Sequence, residues 1–183
     1  MKILKITMSG LFMISAYALA CAADSTVEVE GVTLTTSKAA EGFSQKVRGL
    51  KPNEMKELIQ MESTALRLVQ RYVPEIKKNG VTAKVLDQAY TSWLKDKSRS
   101  KPAPDELIPA FGVQLGNLAL KECKGSWVHV TDNYGEGLAI DFLKSNQQVY
   151  PIDSVYKRFD RQEADFFVSL FKVYVLAGND KLK

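Results

Sequence analysis

The sequence has few of the residues on which enzyme and metal chemistry most often depend. Its 183 residues include one histidine, His129, and two cysteines, Cys21 and Cys123. An ordinary zinc site needs about four nitrogen, sulfur or oxygen ligands, and these residues cannot supply the usual set. A dense disulfide framework is also excluded. No glycine-rich phosphate loop and no serine in a nucleophile-elbow setting is present. We therefore expect no metal, no cofactor and no catalytic residue.

The chain also lacks a strong excess of charge of one sign. Its formal net charge is +4, and Lys2 and Lys5 at the start contribute two of these charges. Without that initial segment the net charge is 4 − 2 = +2. Proteins that bind nucleic acid through its phosphates need a strongly basic face. The sequence therefore predicts no nucleic-acid partner.

Long apolar runs are absent after the first twenty residues. At the start, Lys2 and Lys5 precede an apolar run over residues 6–20, and small residues follow at 18–23. This order is typical of a secretory signal peptide, and the run is shorter than the roughly 20 residues of a comfortable membrane span. We predict a signal peptide over residues 1–22, cleaved near 20–23. The protein is then exported to the periplasm of a Gram-negative bacterium, without a transmembrane span in the mature chain.

The position of the cleavage site decides what happens to Cys21. The residues Ala18-Leu19-Ala20-Cys21 resemble a bacterial lipoprotein signal, in which the cysteine becomes the first residue and carries a lipid anchor. Cleavage after Ala22 or Ala23 would instead remove Cys21. The alternative to a free periplasmic protein is therefore an outer-membrane lipoprotein anchored at Cys21.

Three amphipathic helices are predicted in the first part of the mature chain. Apolar residues recur at spacings of three and four, which is the helical period. Asn53 is the predicted N-cap of the first helix and Thr82 that of the second, while the third follows a pair of prolines. Gly112 and Gly116 lie inside the third helix, where glycine is unfavourable. They indicate either the close approach of another element or two tolerated glycines.

The pattern then changes to the period of two that is typical of strands. It predicts a three-stranded antiparallel meander, a short helix from Asp153 and a final helix. With the N-terminal helices packed on the meander, the expected fold class is α+β. We assign residues 23–52 to an extended arm or loop, with a short strand near Val27–Leu34, and residues 53–178 to one domain. The predicted ranges are strands at 127–131, 138–143 and 148–150, a turn at 132–135, a loop at 37–51 and a final helix at 160–176.

The candidate binding residues form two groups. Aromatic and arginine side chains supply much of the energy of protein interfaces, and arginine binds carboxylates and phosphates with two parallel hydrogen bonds. Asp153 lies four residues before Lys157, a helical ion-pair spacing, so a structural role for the basic pair is the alternative. The first group is Trp127, His129, Asp132 and Tyr134, and the second is Lys157 and Arg158. We expect Trp127 and Tyr134 to flank an anion site formed by the second group.

Two further questions concern the first strand of the predicted meander, residues 127–131. Trp127 and His129 alternate on it, so burial of the Trp127 face would place both side chains in the core. Cys123 and His129 could form a thiolate nucleophile and its base, but only with the two side chains within hydrogen-bond reach. Otherwise Cys123 is a small buried thiol.

A series of short motifs runs in one order between Phe111 and Phe171. The motifs are Phe111-Gly112, Leu115-Gly116-Asn117, Gly125-x-Trp127-Val128, Thr131-Asp132-x-Tyr134-Gly135, Val149-x-Pro151, Val155-x-Lys157-Arg158-Phe159 and Glu163-x-Asp165-Phe166. Their order resembles a family of bacterial domains, the domain of unknown function 3806. The resemblance implies a recurring fold unit and no particular reaction, and it leaves the N-terminal helices outside.

Three functions remain open from the sequence. The first is a non-enzymatic periplasmic protein that binds another protein of the envelope, for example an immunity protein that neutralises a toxin directed to the periplasm. The second is an envelope-maintenance factor that binds a lipid, peptide or glycan, with Lys157 and Arg158 reading an anionic group. The third is a small hydrolase that uses Cys123 and His129.

Overall fold

The computed structural model describes the backbone of residues 2–8, 25–29 and 32–38, and the complete residues 44–76, 80–133 and 135–181. Two residues of interest from the sequence, Cys21 and Tyr134, lie outside the described residues. So do residues 9–20, which make up most of the apolar run of the predicted signal peptide.

The described residues form an α+β fold, as the sequence predicts. In chain order its elements are β1 (Lys2–Met8), β2 (Ser25–Val29), β3 (Val32–Lys38), β4 (Gln45–Gly49), α1 (Pro52–Tyr72), α2 (Ala83–Lys95), α3 (Pro104–Glu122), β5 (Gly125–Asp132), β6 (Gly135–Phe142), β7 (Gln147–Val149), α4 (Pro151–Asp160) and α5 (Phe167–Gly178).

The chain divides into two compact units, and the first contains all the strands among the described residues. It comprises Met1–Leu50, Glu122–Tyr150 and Lys172–Lys183. One sheet has the order β1-β3-β2 and the other β4-β5-β6-β7, and all pairs are antiparallel. The segment predicted as one short strand or arm near Val27–Leu34 consists of two paired strands, β2 and β3.

The second sheet has one strand more than the predicted meander. The prediction of a loop over 37–51 is wrong at β4, which pairs with β5 so that Val47 lies opposite Val130. The period-two pattern is missing here because β4 is an edge strand, and Lys46, Val47 and Gly49 are all exposed. A strand that buries little carries little apolar alternation for a sequence pattern to detect.

The four-stranded sheet is strongly rolled. Gln45 on β4 donates from Nε2 to Oε1 of Gln148 on β7 over 2.9 Å and to the Tyr150 hydroxyl over 3.1 Å. In a flat sheet, β4 and β7 would be separated by three strand spacings, or about 14 Å. The roll brings side chains of the two outer strands into contact on one face and leaves the strands themselves unpaired with each other. The apolar side chains of that face are Val128, Val130 and Ala139, with Tyr150 packed against them.

The second unit, Lys51–Lys121 and Pro151–Phe171, is helical. Thr82 caps α2 as predicted, because its hydroxyl accepts the backbone N–H of Val85 over 3.3 Å. The predicted N-cap Asn53 is wrong, since α1 already begins at Pro52. Glu54 accepts the N–H of Lys51 over 2.7 Å instead, which is the half of a capping box that the third residue of a helix supplies.

The last predicted helix is shorter than expected because a turn precedes it. α4 ends at Asp160 and α5 begins at Phe167. Between them, Gln162 and Asp165 both have φ of 57°, a left-handed backbone conformation that does not continue a right-handed helix. The predicted final helix at 160–176 is therefore wrong over residues 161–166, which include Glu163 and Asp165.

A carboxylate from another helix caps the start of α5. Asp87 on α2 is 7% exposed, and its two oxygens accept the backbone N–H groups of Phe167 over 2.8 Å and Val168 over 3.1 Å. Burial raises the pKa of Asp87, and the two N–H donors oppose that rise by stabilising the carboxylate. The contact fixes α2 against the first turn of α5.

Gly112 in α3 marks a close approach between two helices, which was one of the two interpretations of this glycine. A Cβ atom at Gly112 would lie 2.5 Å from the Cα and 2.9 Å from the backbone nitrogen of Ile152 in α4. Real Cβ atoms do not make such short contacts with backbone. The absence of a side chain therefore allows α3 and α4 to meet.

Gly112→Ala is expected to lower the free energy of unfolding by about 1–3 kcal/mol, the usual cost of overpacking a core. Urea unfolding followed by circular dichroism measures this change. Gly49→Ala is the matched control, because a Cβ there meets no atom within 4 Å. Equal stability of the two variants would contradict the close approach.

Candidate functional site

The first group of candidate residues lies at one end of the four-stranded sheet. On one face of β5, Trp127 is buried with 9% exposure, the His129 side chain is 12% exposed, and Thr131 is exposed. Burial therefore decreases along a single strand face, and the alternation of Trp127 with His129 does not place both equally in the core.

Neighbouring strands add charged side chains to that face. In the antiparallel register, Arg48 lies opposite His129, and both Lys46 and Glu136 lie opposite Thr131 on its two sides. Alternation along a strand puts these residues on the same face as His129. We call Lys46, Arg48, His129, Thr131 and Glu136 the open sheet end. Sequence reasoning missed Lys46 and Arg48, since only the register reveals their neighbours.

His129 contacts Glu136 within the open sheet end. Its Nε2 lies 3.7 Å from Oε2 of Glu136, whose side chain is 73% exposed. An ion pair at such exposure contributes at most about 1 kcal/mol.

Asp132 is not brought onto the face of His129. It follows Val128 and Val130 in the alternation and lies opposite Gln45 of β4. Next to it, Asn133 accepts the backbone N–H of Ser44 over 3.2 Å and its hydroxyl over 2.9 Å. This end of β5 therefore holds the chain that leads into β4. The fourth residue of the group, Tyr134, is outside the described part of the chain.

The second group lies on α4, in the helical unit. The Lys157 ammonium is 3.6 Å from the carboxylate of Asp153, so the predicted helical ion pair is present. Burial lowers the pKa of Lys157, and the Asp153 carboxylate opposes that shift.

Arg158 is an interior residue with 2% exposure. Its Nη1 donates to the Ser154 carbonyl over 3.3 Å, and its guanidinium carbon lies 5.7 Å from the centre of the Phe166 ring. Burial raises the pKa of Glu163, and the Arg158 cation opposes this rise. Arg158 thus contributes to the packing of the turn between α4 and α5, and sequence reasoning missed its partners Glu163 and Phe166.

Arg158→Ala is expected to lower the free energy of unfolding by roughly 3 kcal/mol, because it removes a buried charge that interacts with Glu163. Lys157→Ala is the control on the same helix and should cost about 1 kcal/mol or less. Chemical denaturation of the two variants measures both values. Full stability of Arg158→Ala would contradict the structural role of Arg158.

Cys123 lies in the first unit and is 5% exposed. Asn179 donates from Nδ2 to its Sγ over 3.2 Å, and Sγ donates to the Val175 carbonyl over 3.5 Å. Burial raises the pKa of the thiol, and the Glu122 carboxylate adds to that rise. A nucleophilic cysteine needs a lowered pKa, so this environment disfavours the thiolate.

The backbone also separates Cys123 from His129. The four residue steps from Gly125 to His129 along β5 span about 13 Å of extended strand. Cys123 precedes that strand and contacts the end of α5. The structure does not bring the two side chains together as a catalytic pair.

The thiol of Cys123 is expected to react slowly with iodoacetamide at pH 7 in the folded protein and rapidly in urea, because burial protects it and raises its pKa. Mass spectrometry of the peptide containing residue 123 measures the rate. A Cys21→Ser background removes the other thiol. Rapid labelling of the folded chain would revive the thiol-enzyme hypothesis.

Neither a metal centre nor a membrane helix emerges from the described part of the chain. No group of three or more His, Cys, Asp or Glu side chains among the described residues could hold a metal ion. None of the described helices combines the length and the apolar composition that a membrane crossing requires.

A single family model covers the β5 face with Trp127 and His129, the α4–α5 turn, α3 and nearly all of α2. Residues 84–171 match the family described as a domain of unknown function, DUF3806. This stretch of the chain is similar to DUF3806. The resemblance seen from Phe111 to Phe171 is confirmed, and the match extends further toward the N terminus to include nearly all of α2. Within the matched residues, the motif residues Arg158 and Phe166 contact each other.

The fold of the chain recurs in a solved structure. A crystal structure from Bacteroides thetaiotaomicron VPI-5482, determined at 1.50 Å resolution, aligns with a TM-score of 0.58 and 9% sequence identity. The alignment covers 83% of this chain and 68% of that chain. At this identity the similarity concerns the fold alone. A comparison with curated protein sequences gives no significant match.

Proposed function

We propose that this protein is a non-enzymatic binding protein of the periplasm whose partner is another protein. Export rests on the signal-like order of residues 1–22, with a lipid anchor at Cys21 as the alternative form. The observation that carries the proposal is a row of exposed apolar side chains along α1.

Three large apolar residues of α1 point away from the protein core. Met55 is 45% exposed, Ile59 is 55% exposed and Leu66 is 49% exposed. Their spacings of four and seven residues place them on one side of the helix. We call Met55, Ile59 and Leu66 the α1 stripe. Single exposed apolar residues need no explanation, but aligned ones are typical of an interaction surface.

The α1 stripe is separate from the side of α1 that packs inside its own unit. That buried side contains Leu58, Ala65, Leu68 and Val69. The core therefore does not account for Met55, Ile59 and Leu66. The spacing fits a partner with an apolar groove that receives one side of a helix, a recurring mode of protein recognition.

An immunity protein is the specific form of this function that we favour. Such a protein must neutralise a toxin by binding alone, so it needs a tight interface and no chemistry of its own. The raised pKa of the Cys123 thiol is consistent with a role without nucleophilic catalysis. An envelope-maintenance factor that reads an anion through Lys157 and Arg158 is less well supported, since Arg158 is buried with 2% exposure.

The combined variant Met55→Gln, Ile59→Gln and Leu66→Gln is expected to weaken partner binding at least tenfold, because aligned apolar anchors dominate interface energies. Glutamine keeps the helix propensity. The measurement is a pull-down from the native periplasm with mass spectrometry, followed by calorimetry with the captured protein.

The matched control for the α1 stripe is the double variant Lys56→Gln and Glu57→Gln, two exposed positions of the same helix. It should capture the partner as the natural sequence does. A partner that binds the stripe variant and the control equally well would contradict the role of α1. An empty pull-down from folded bait would contradict protein binding itself.

A further inference from the structure

The outer edge of β4 is a second surface suited to protein binding. Among the described strands, β4 pairs with β5 alone, so it forms an edge of the four-stranded sheet. An edge strand presents backbone N–H and C=O groups in register for another strand. Ser44, Lys46, Val47 and Gly49 are exposed, which leaves this edge accessible.

The charge of this edge is of one sign. Residues 44–51 contain Lys46, Arg48 and Lys51 and no acidic residue. Lys46 and Arg48 lie on one face of β4, while Val47, which is 42% exposed, lies on the other. His129 of β5 lies opposite Arg48, across the edge of β4 that is already paired. A strand added here would therefore meet cations on one face and an apolar side chain on the other.

We propose that β4 receives an extended acidic segment of the partner protein as an additional strand of the sheet. Acidic side chains of that segment lie beside Lys46 and Arg48, and an apolar side chain lies beside Val47. Backbone hydrogen bonds supply affinity, and the alternation of side chains supplies specificity, as in other cases of strand addition. This inference rests on the proposed function, because it assigns a second contact to the same kind of partner.

Charged residues on an edge strand also have a simpler role, which is to prevent aggregation through that edge. The two roles differ in their response to an acidic strand. A protective edge takes up no added strand, because its charged side chains disfavour the burial that strand pairing requires, whereas a receiving edge binds an acidic strand. The choice between them is therefore a binding measurement and not a stability measurement.

The test uses the double variant Lys46→Glu and Arg48→Glu, with Lys121→Glu and Lys124→Glu as a control of equal charge change at exposed positions. The probe is an acetylated and amidated peptide of alternating Val and Glu, and the comparison peptide has Lys in place of Glu. Amide chemical shifts in NMR spectra report where each peptide binds.

We expect the acidic peptide to shift the amides of residues 44–50, with affinity that falls as salt is raised. The charge-reversed β4 variant should bind it at least tenfold more weakly, and the Lys121/Lys124 control should bind normally. Equal shifts with both peptides, or shifts elsewhere in the chain, would overturn the proposal. The same conclusion follows if the β4 variant binds the acidic peptide as tightly as the natural sequence.

The chain itself contains the alternation Val27-Glu28-Val29-Glu30, so a second copy is a competing occupant. Light scattering that shows a dimer, dissolved by the β4 reversal, would assign the edge to self-association and overturn the partner proposal. If the captured partner is lost with the α1 stripe variant but retained by the β4 reversal, strand addition fails while protein binding stands. If both variants retain it, neither surface carries the binding.

Discussion

Asp87 accepts two backbone N–H groups, and the packing of the helical unit depends on this contact. A helix N-terminus leaves its first N–H groups without partners, and burial of such groups is costly. Here α2 supplies the acceptor for Phe167 and Val168. Because the start of α5 is fixed to α2, the turn between α4 and α5 must fit within a defined gap. The chain changes direction in this turn at two residues with left-handed backbone conformation.

The aromatic packing follows from this constraint. Phe166 and Phe167 stack with ring centres 4.4 Å apart. Tyr90 contacts them at 5.2 and 5.8 Å in edge-on geometry, an arrangement that aromatic pairs favour. Arg158 then lies against Phe166. The motif residues between 155 and 166, which lie in the stretch that matches DUF3806, are thus explained largely by packing. The basic pair among them is no longer the leading candidate for recognition of an anion.

The sequence predicted those elements whose burial leaves a regular pattern. The apolar spacing of α2 and the hydroxyl of Thr82 located its start, and the alternation around Trp127 located β5. β4 was not predicted because an edge strand buries few side chains. The break between α4 and α5 was not predicted because Gln162 and Asp165 are not residues that demand a left-handed conformation. The helix that follows this turn is capped by Asp87 of α2, a tertiary contact that no local pattern contains.

The candidate site shows the same division between local and long-range information. Alternation placed Trp127 and His129 on one face but did not show that burial declines between them, because that depends on how the sheet rolls. The partners of Arg158 required the path of the α4–α5 turn. Only the i,i+4 pair of Asp153 and Lys157, a local contact, followed directly from spacing.

The two proposed contact surfaces differ in chemistry, and this difference separates their roles in binding. The α1 stripe is apolar, so its contribution is the burial of surface, which acts mainly on the rate of dissociation. The β4 edge carries exposed cations, and charge of this kind acts mainly on the rate of association and on selection among partners. A protein that must find a target quickly and then retain it benefits from both. An apolar helix side alone would bind slowly and with little selectivity, and a basic edge alone would release its partner at physiological salt.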